Sequence, residues 1–325
     1  MFLKYSIPGL FVGLFIAEIF VELNIINKLS FIGAIFTKIA NLPEECGLAI
    51  TLAFIDPRAA NVMLIDFYKN NQISKKELYI ASLMDAFPAV LKHWDSLVPT
   101  LFATMGILGI IYFIIMVLIG LIATLIFALL GKITIKKVNK EEKKLNMDII
   151  EKELYLQTPL KNGKMGNKKD KKDLFKIYKD FKKVIYKTIK TSLPIIKTIF
   201  IASLITSFLI RIGVFDYMTE YVKNHIIMFL PFSTEELTIS ITSMINSIAA
   251  YTMAGSLLDK HAINSIQAIR ALLLGSVLSS ITVIRYLIPY YIGLYGVKDG
   301  INLMMISTVM RVVISIFFII LISIL

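Results

Sequence analysis

The residues that could do chemistry in this chain are few, and most sit inside apolar sequence. Asp56-Pro57-Arg58 interrupts the stretch 47–68, and Asn61 follows one helical turn later. Asp85 lies within 77–94, with Pro88 one turn further on. Glu18 and Glu22, spaced i,i+4, share a face of an N-terminal apolar run. Ionisable groups at membrane depth cost roughly 2.5–3.5 kcal/mol each on insertion scales, so they mark ion or solute sites by default. Glu18, Glu22 and Asp85 are therefore candidates for coupling to a cation or proton. The bland reading of Glu18 and Glu22 is a helix-fastening pair with Lys197, Arg211 or Arg270. Ser276, Ser279, Ser280 and Thr282 read more readily as helix-packing contacts than as ligands. The single cysteine, Cys46, excludes an internal disulfide, and no Cys/His cluster has metal-site spacing.

The elements that must position these groups are membrane helices. Of 325 residues 57% are hydrophobic, and the runs 7–26, 109–130, 193–212 and 301–325 each meet the roughly 20 residues that a bilayer crossing needs. The run 7–26 lacks a small-residue cleavage pattern and reads as a retained helix. The fold class expected is an all-α polytopic membrane protein. The net charge of +12 is concentrated in one place: residues 132–190 hold 19 Lys against 8 Asp or Glu. This segment reads as a basic cytoplasmic linker by the positive-inside rule, in preference to a nucleic-acid or anionic-lipid surface.

The linker separates two stretches, 1–131 and 191–325, that match at an offset of 190 positions. Ile55, Ala59, Ala60 and Met63 fall on Ile245, Ala249, Ala250 and Met253, and Leu97-Val98-Pro99 falls on Leu287-Ile288-Pro289. Glu45 meets Glu235, and Gly106 meets Gly296. Asn246-Ser247 then interrupts 237–258 where Asp56-Pro57-Arg58 interrupts 47–68. Proline and charge in mid-bilayer are relieved if each stretch is a re-entrant hairpin of two half-helices. The candidate solute-binding residues are those at the two tips: Asp56, Arg58, Asn61, Asn246, Ser247, Tyr251 and Thr252. Loops flanking the first hairpin carry a net +2 and their second-half equivalents a net −3. That sign swap favours an inverted over a parallel repeat, with both termini outside. The stretch 97–130, and 287–325 broken at Lys298-Asp299-Gly300, each read as a partial helix followed by one span.

The paired hairpins at 45–99 and 235–289, joined by a charged linker, resemble the Gate, or nucleoside-recognition, domain family. That resemblance implies transport of a small polar solute, nucleoside-like or a cation, without enzyme chemistry or cofactor. It carries no family ligand residue onto this chain. No G-x-x-x-x-G-K-[ST] motif is present. The partners expected are the lipid bilayer, the solute or ion, and a second copy of the chain, with no nucleic acid. Two rival readings stand beside transport. One is an intramembrane hydrolase using Asp56 and Asp85, which lacks the G-x-G-D, H-E-x-x-H and G-x-S-x-G motifs. The other is a non-transporting assembly partner docked through the linker.

Overall fold

The computed structural model describes residues 25–135 and 232–324, with isolated positions between 185 and 220. Every regular element among the described residues is helical. In chain order they are α1 (Ile25–Ala40), α2 (Glu44–Ala53), α3 (Pro57–Lys69), α4 (Lys75–Leu83), α5 (Ala86–Leu91), α6 (Trp94–Met105) and α7 (Ile107–Thr134). After the linker come α8 (Thr234–Ile245), α9 (Ser247–Asp259), α10 (Ser265–Tyr295) and α11 (Val297–Ile324).

Three of these, α7, α10 and α11, are long and apolar enough to cross a membrane. At 1.5 Å per residue the 28 residues of α7 reach about 42 Å, more than a hydrocarbon core requires. Ile111, Ile114, Leu118, Leu125 and Leu129 on α7, and Val309, Val313, Phe317 and Ile320 on α11, are exposed at helical spacing. Apolar stripes of that length facing outward fit lipid rather than water. This is an all-α membrane protein. The expected spans 7–26 and 193–212 fall outside the described residues, or on isolated positions of them.

Local chemistry explains where the helices start. Asp56 caps α3 by accepting from the Arg58 N–H at 2.9 Å, and Pro57 occupies the first turn. Asn246 caps α9 in the same way, accepting from Ile248 N–H at 2.9 Å and Ala249 N–H at 3.1 Å. Ser74 with Glu77, Ser233 with Glu236 and Asn264 with Gln267 form reciprocal capping boxes at the starts of α4, α8 and α10. Asp56 and Asn246, Ser74 and Asn264, Asn71 (φ 54–57° region, φ 57°) and His261 (φ 54°), and Gly106 (φ 60°) and Gly296 (φ 81°) stand 190 positions apart.

Two breaks differ from the sequence expectation. The last apolar segment breaks at Gly296 and not at Lys298-Asp299-Gly300, which lie in the first turn of α11. Glycine alone adopts the backbone found at 296 without strain, whereas Asp299 is favourable near a helix N-terminus. The stretch 77–94, expected as one helix, is divided at Asp85 into α4 and α5. Pro88 has no N–H to offer the Met84 carbonyl. Thr124 on α7 serves both sides of the gap: its hydroxyl donates to Met84 O at 3.0 Å and accepts from Phe87 N–H at 3.0 Å. Gly120, one turn earlier on α7, lets the kink come close, since a Cβ there would sit 2.9 Å from the Ala86 carbonyl oxygen.

Candidate functional site

Elements from before and after the linker meet around one polar cluster, buried at Asn61, Ser82 and Asp85 and half-buried at its tyrosines. The α3 helix contributes Asn61, α4 contributes Ser82, the α4–α5 turn contributes Asp85, and the C-terminal end of α10 contributes Tyr290, Tyr291 and Tyr295. Asn61, Ser82 and Asp85 are 5–8% exposed. Asn61 Nδ2 donates to the Tyr290 hydroxyl at 3.3 Å, and the Tyr295 hydroxyl lies 2.8 Å from both Asn61 Oδ1 and Ser82 Oγ. The one hydrogen on Tyr295 serves one of these acceptors at a time, and the Ser82 hydroxyl can donate in return. The rings of Tyr290 and Tyr291 meet edge-on at 5.3 Å, and those of Tyr291 and Tyr295 stack at 6.0 Å. Asp85 lies within electrostatic reach of all three phenols and beside the Asn61 side chain, yet among the described residues neither of its buried carboxyl oxygens meets a partner at hydrogen-bond geometry. An unsatisfied buried carboxyl is costly, and such groups in native proteins usually serve a purpose.

The candidates chosen from the sequence divide sharply. Asn61 and Asp85 are brought together in this cluster. Asp56 is engaged elsewhere, with the Arg58 N–H and with Lys92 Nζ at 3.3 Å. Arg58 is exposed, and its charge acts on Tyr290 at the rim of the cluster. Asn246, Ser247 and Thr252 are exposed; Asn246 is occupied as a cap, and the Thr252 hydroxyl donates to Ile248 O at 3.0 Å. Tyr251 is buried against the Tyr112 ring of α7, with centroids 6.1 Å apart. Glu18 and Glu22 lie outside the described residues. With Asp85 unpartnered and Asp56 on Lys92, the two aspartates form no hydrogen-bonded carboxylate pair.

Other charged groups have structural partners. Glu236, 0% exposed, receives Arg270 Nε at 2.8 Å and Nη2 at 2.9 Å, and the guanidinium also lies over the Phe232 ring. Arg270 thus ties α10 to α8, and its Nη1 also donates to Ser323 Oγ of α11 at 3.3 Å. The hydroxyls of Ser276, Ser279, Ser280 and Thr282 donate to carbonyls of their own helix, and that of Ser279 also reaches Ser243 O of α8. Near the start of α4, Asp299 of α11 takes Lys75 Nζ at 2.7 Å and the Tyr79 hydroxyl at 2.7 Å. The hydrogen bond to Asp299 holds the Lys75 ammonium above the usual lysine range.

Ser82, Tyr290, Tyr291 and Tyr295 were not singled out in the sequence. The signal available was the tyrosine spacing i, i+1, i+5 immediately after Pro289, a polar edge at the end of an apolar helix.

No family model matches the chain, and no solved structure matches it. The uncharacterised protein MJ1556 of Methanocaldococcus jannaschii is 55% identical over 319 residues, covering 98% of this chain and 94% of that protein. The chain belongs to the MJ1556 family. Two further uncharacterised proteins of the same organism, MJ0880 and MJ0871, are 29% and 26% identical over 318 and 309 residues, 95% and 94% of this chain. The similarity to MJ1556 extends along almost the whole length of both chains, so the linker and both flanking regions belong to the shared sequence.

Proposed function

We propose that this member of the MJ1556 family is a multi-pass secondary transporter or permease for a small polar solute, bound between two inverted repeats. The observation that carries the reading is the cluster of buried Asn61, Ser82 and Asp85 with half-buried Tyr290 and Tyr295, formed where elements from before and after the linker meet. A membrane protein gains nothing in stability from an unpartnered carboxyl beside a helix break, whereas a transporter needs polar groups at such a break. The capped interruptions at Asp56 and Asn246, 190 positions apart, support two re-entrant hairpins related by the repeat. Resemblance to the Gate domain family favours a nucleoside-like solute. Stacked phenols beside an amide and a hydroxyl suit a planar, hydrogen-bonding ring. In this arrangement residues 132–190 are cytoplasmic, both termini are outside, and rocking of one repeat against the other exposes the site to each side in turn.

Uptake of labelled uridine by proteoliposomes tests the proposal. Saturable uptake by the wild type, reduced in Asn61→Ala and Tyr295→Phe but retained in Thr252→Val, is expected; equal uptake by all four proteins would remove the cluster from the site. Topology is read by single cysteines at Asn71, in the linker and at Lys260 in a Cys46→Ser background. Labelling of the first two from the cytoplasm and of the third from outside is expected. Labelling of all three from the cytoplasm would make the repeat parallel.

A further inference from the structure

We propose that Asp85 is a proton-carrying site whose loading and release are coupled to solute movement. The coupling rests on the transport reading, and it names the ion. The argument begins with what surrounds the carboxyl. Of the groups facing it, α10 presents Tyr290, Tyr291 and Tyr295, and α3 presents the neutral Asn61. The α7 helix presents Thr124, whose hydroxyl is committed to the backbone at Met84 and Phe87. The α2 helix, packed on α4 and α5, carries Cys46 and, at its N-terminal end, Glu44 and Glu45. Two cations act electrostatically on these phenols, Arg58 on Tyr290 and Arg311 of α11 on Tyr291. Neither makes an ion pair with Asp85, and among the described residues its oxygens meet no partner at hydrogen-bond geometry. Lys92, the cation at the end of α5, is held by Asp56.

A negative charge at Asp85 is therefore uncompensated, and one bound proton removes it. A metal cation would also remove it, but it would have to share or displace hydrogen bonds at the oxygens that could complete a coordination shell. Asn61 Oδ1 and Ser82 Oγ share the Tyr295 hydroxyl, Met84 O accepts from Thr124, and the Asn61 amide donates to Tyr290. A cation needs several oxygens at once, whereas a proton needs only the carboxylate. The helix break supplies the freedom that loading requires, because the α4–α5 turn is held by the side chain of Thr124 and not by a continuous backbone ladder. In the step itself, water on one side of the membrane gives up a proton, an O–H bond forms on Asp85, and the charge is lost. Movement of the halves then opens the group to the other side, where the same O–H bond breaks and the proton returns to water. The solute crosses in the same movement.

Infrared difference spectra of the full chain in lipid, between acid and alkaline pH, read the site without any solute. The expected result is the carbonyl stretch of a protonated carboxylic acid, lost at high pH in the wild type. It should be missing in Asp85→Asn, shifted in Asp85→Glu and unchanged in Asp56→Asn. A wild type without the band, or a band that survives in Asp85→Asn while Asp85→Glu leaves it unmoved, overturns the proposal. Loss of the band when sodium chloride replaces choline chloride at fixed pH would make Asp85 a sodium ligand, and also overturns it. Coupling is read from uridine uptake under an imposed pH gradient, where one unit can drive up to about tenfold accumulation. Gradient-driven accumulation in the wild type and its loss in Asp85→Asn are expected, and wild-type uptake indifferent to the gradient refutes the coupling. A normal band with no uptake at all removes the transport reading and leaves the proton site standing.

Discussion

Residues 75–105 and 265–295 stand 190 positions apart and share a capping box at the start and a glycine break at the end, yet the first is three helices and the second is one. Proline alone does not make the difference. Pro99 and Pro289 occupy matched places and both lie inside helices. What separates the two stretches is the pairing of Asp85 and Pro88 in the first with Gly275 and Leu278 in the second. In the first, Thr124 offers the interrupted backbone new partners. In the second, Gly275 packs directly on Ser240 and Ser243 of α8, and the nearby serines bond to helix carbonyls, which keeps α10 unbroken. Stretches with matched ends thus differ in the middle, one broken at Asp85 and the other closed on α8, and both reach the polar cluster, through Ser82 and Asp85 on one side and Tyr290 and Tyr295 on the other.

The contact of each stretch with the hairpin helix before it differs in the same sense. The second uses the buried Glu236–Arg270 pair, where the first has Cys46 and Ile80 at matched positions. Glu236→Ala should produce the largest loss, about 3–5 kcal/mol, because it strands a guanidinium that has little access to water. Grafting the apolar pair with Glu236→Cys and Arg270→Ile should recover most of that loss. Thermal unfolding in detergent measures both, and a double variant no better than the single one would show that the two contacts are not equivalent.

Thr124→Val is next, at about 2 kcal/mol, since it leaves a buried carbonyl and a buried N–H without their partner while hardly changing shape. Unfolding of this variant at wild-type temperature would mean that the kink is held by something else. Gly275→Ala should cost about 1 kcal/mol, because the new Cβ would lie 2.6 Å from the Ser243 Cβ and α8 must shift. Its effect on uridine uptake should be small, whereas Thr124→Val should impair uptake beyond its effect on stability. Equal effects of the two on uptake would erase the distinction between the break at Asp85 and the closed packing at Gly275.

Much of the framework was legible because it depends on local chemistry. Asp56 and Asn246 could be read as interruptions because a short polar side chain that accepts from the next N–H groups begins a new helix wherever it stands. Gly106 could be read as a shared mark because a left-handed backbone selects glycine. The site was only half legible. Asn61 and Asp85 were visible as polar residues in apolar sequence, but they were assigned to separate roles, and Asn246, Ser247 and Thr252 were expected beside Asn61. The hairpin tips were weighted by symmetry, and symmetry does not hold at these positions: Tyr251 packs on Tyr112, whereas the matched Asn61 bonds to Tyr290 and Tyr295.

By itself the sequence determined that the chain is an all-helical membrane protein, that two apolar stretches are interrupted at Asp56 and Asn246, and that its charge gathers in one segment. Hydrophobic run length, caps and charge runs act over a few residues, so they survive without knowledge of the fold. Tertiary structure alone decided that Ser82, Asp85 and Asn61 share a pocket of interactions with tyrosines some 200 residues away. It also decided that Thr124 bridges a break in a helix it does not belong to, and that Asp56 is satisfied by Lys92 while Asp85 meets no hydrogen-bond partner among the described residues. Those outcomes depend on which surfaces meet, and a polar side chain carries no mark in the sequence of the partner that packing will give it.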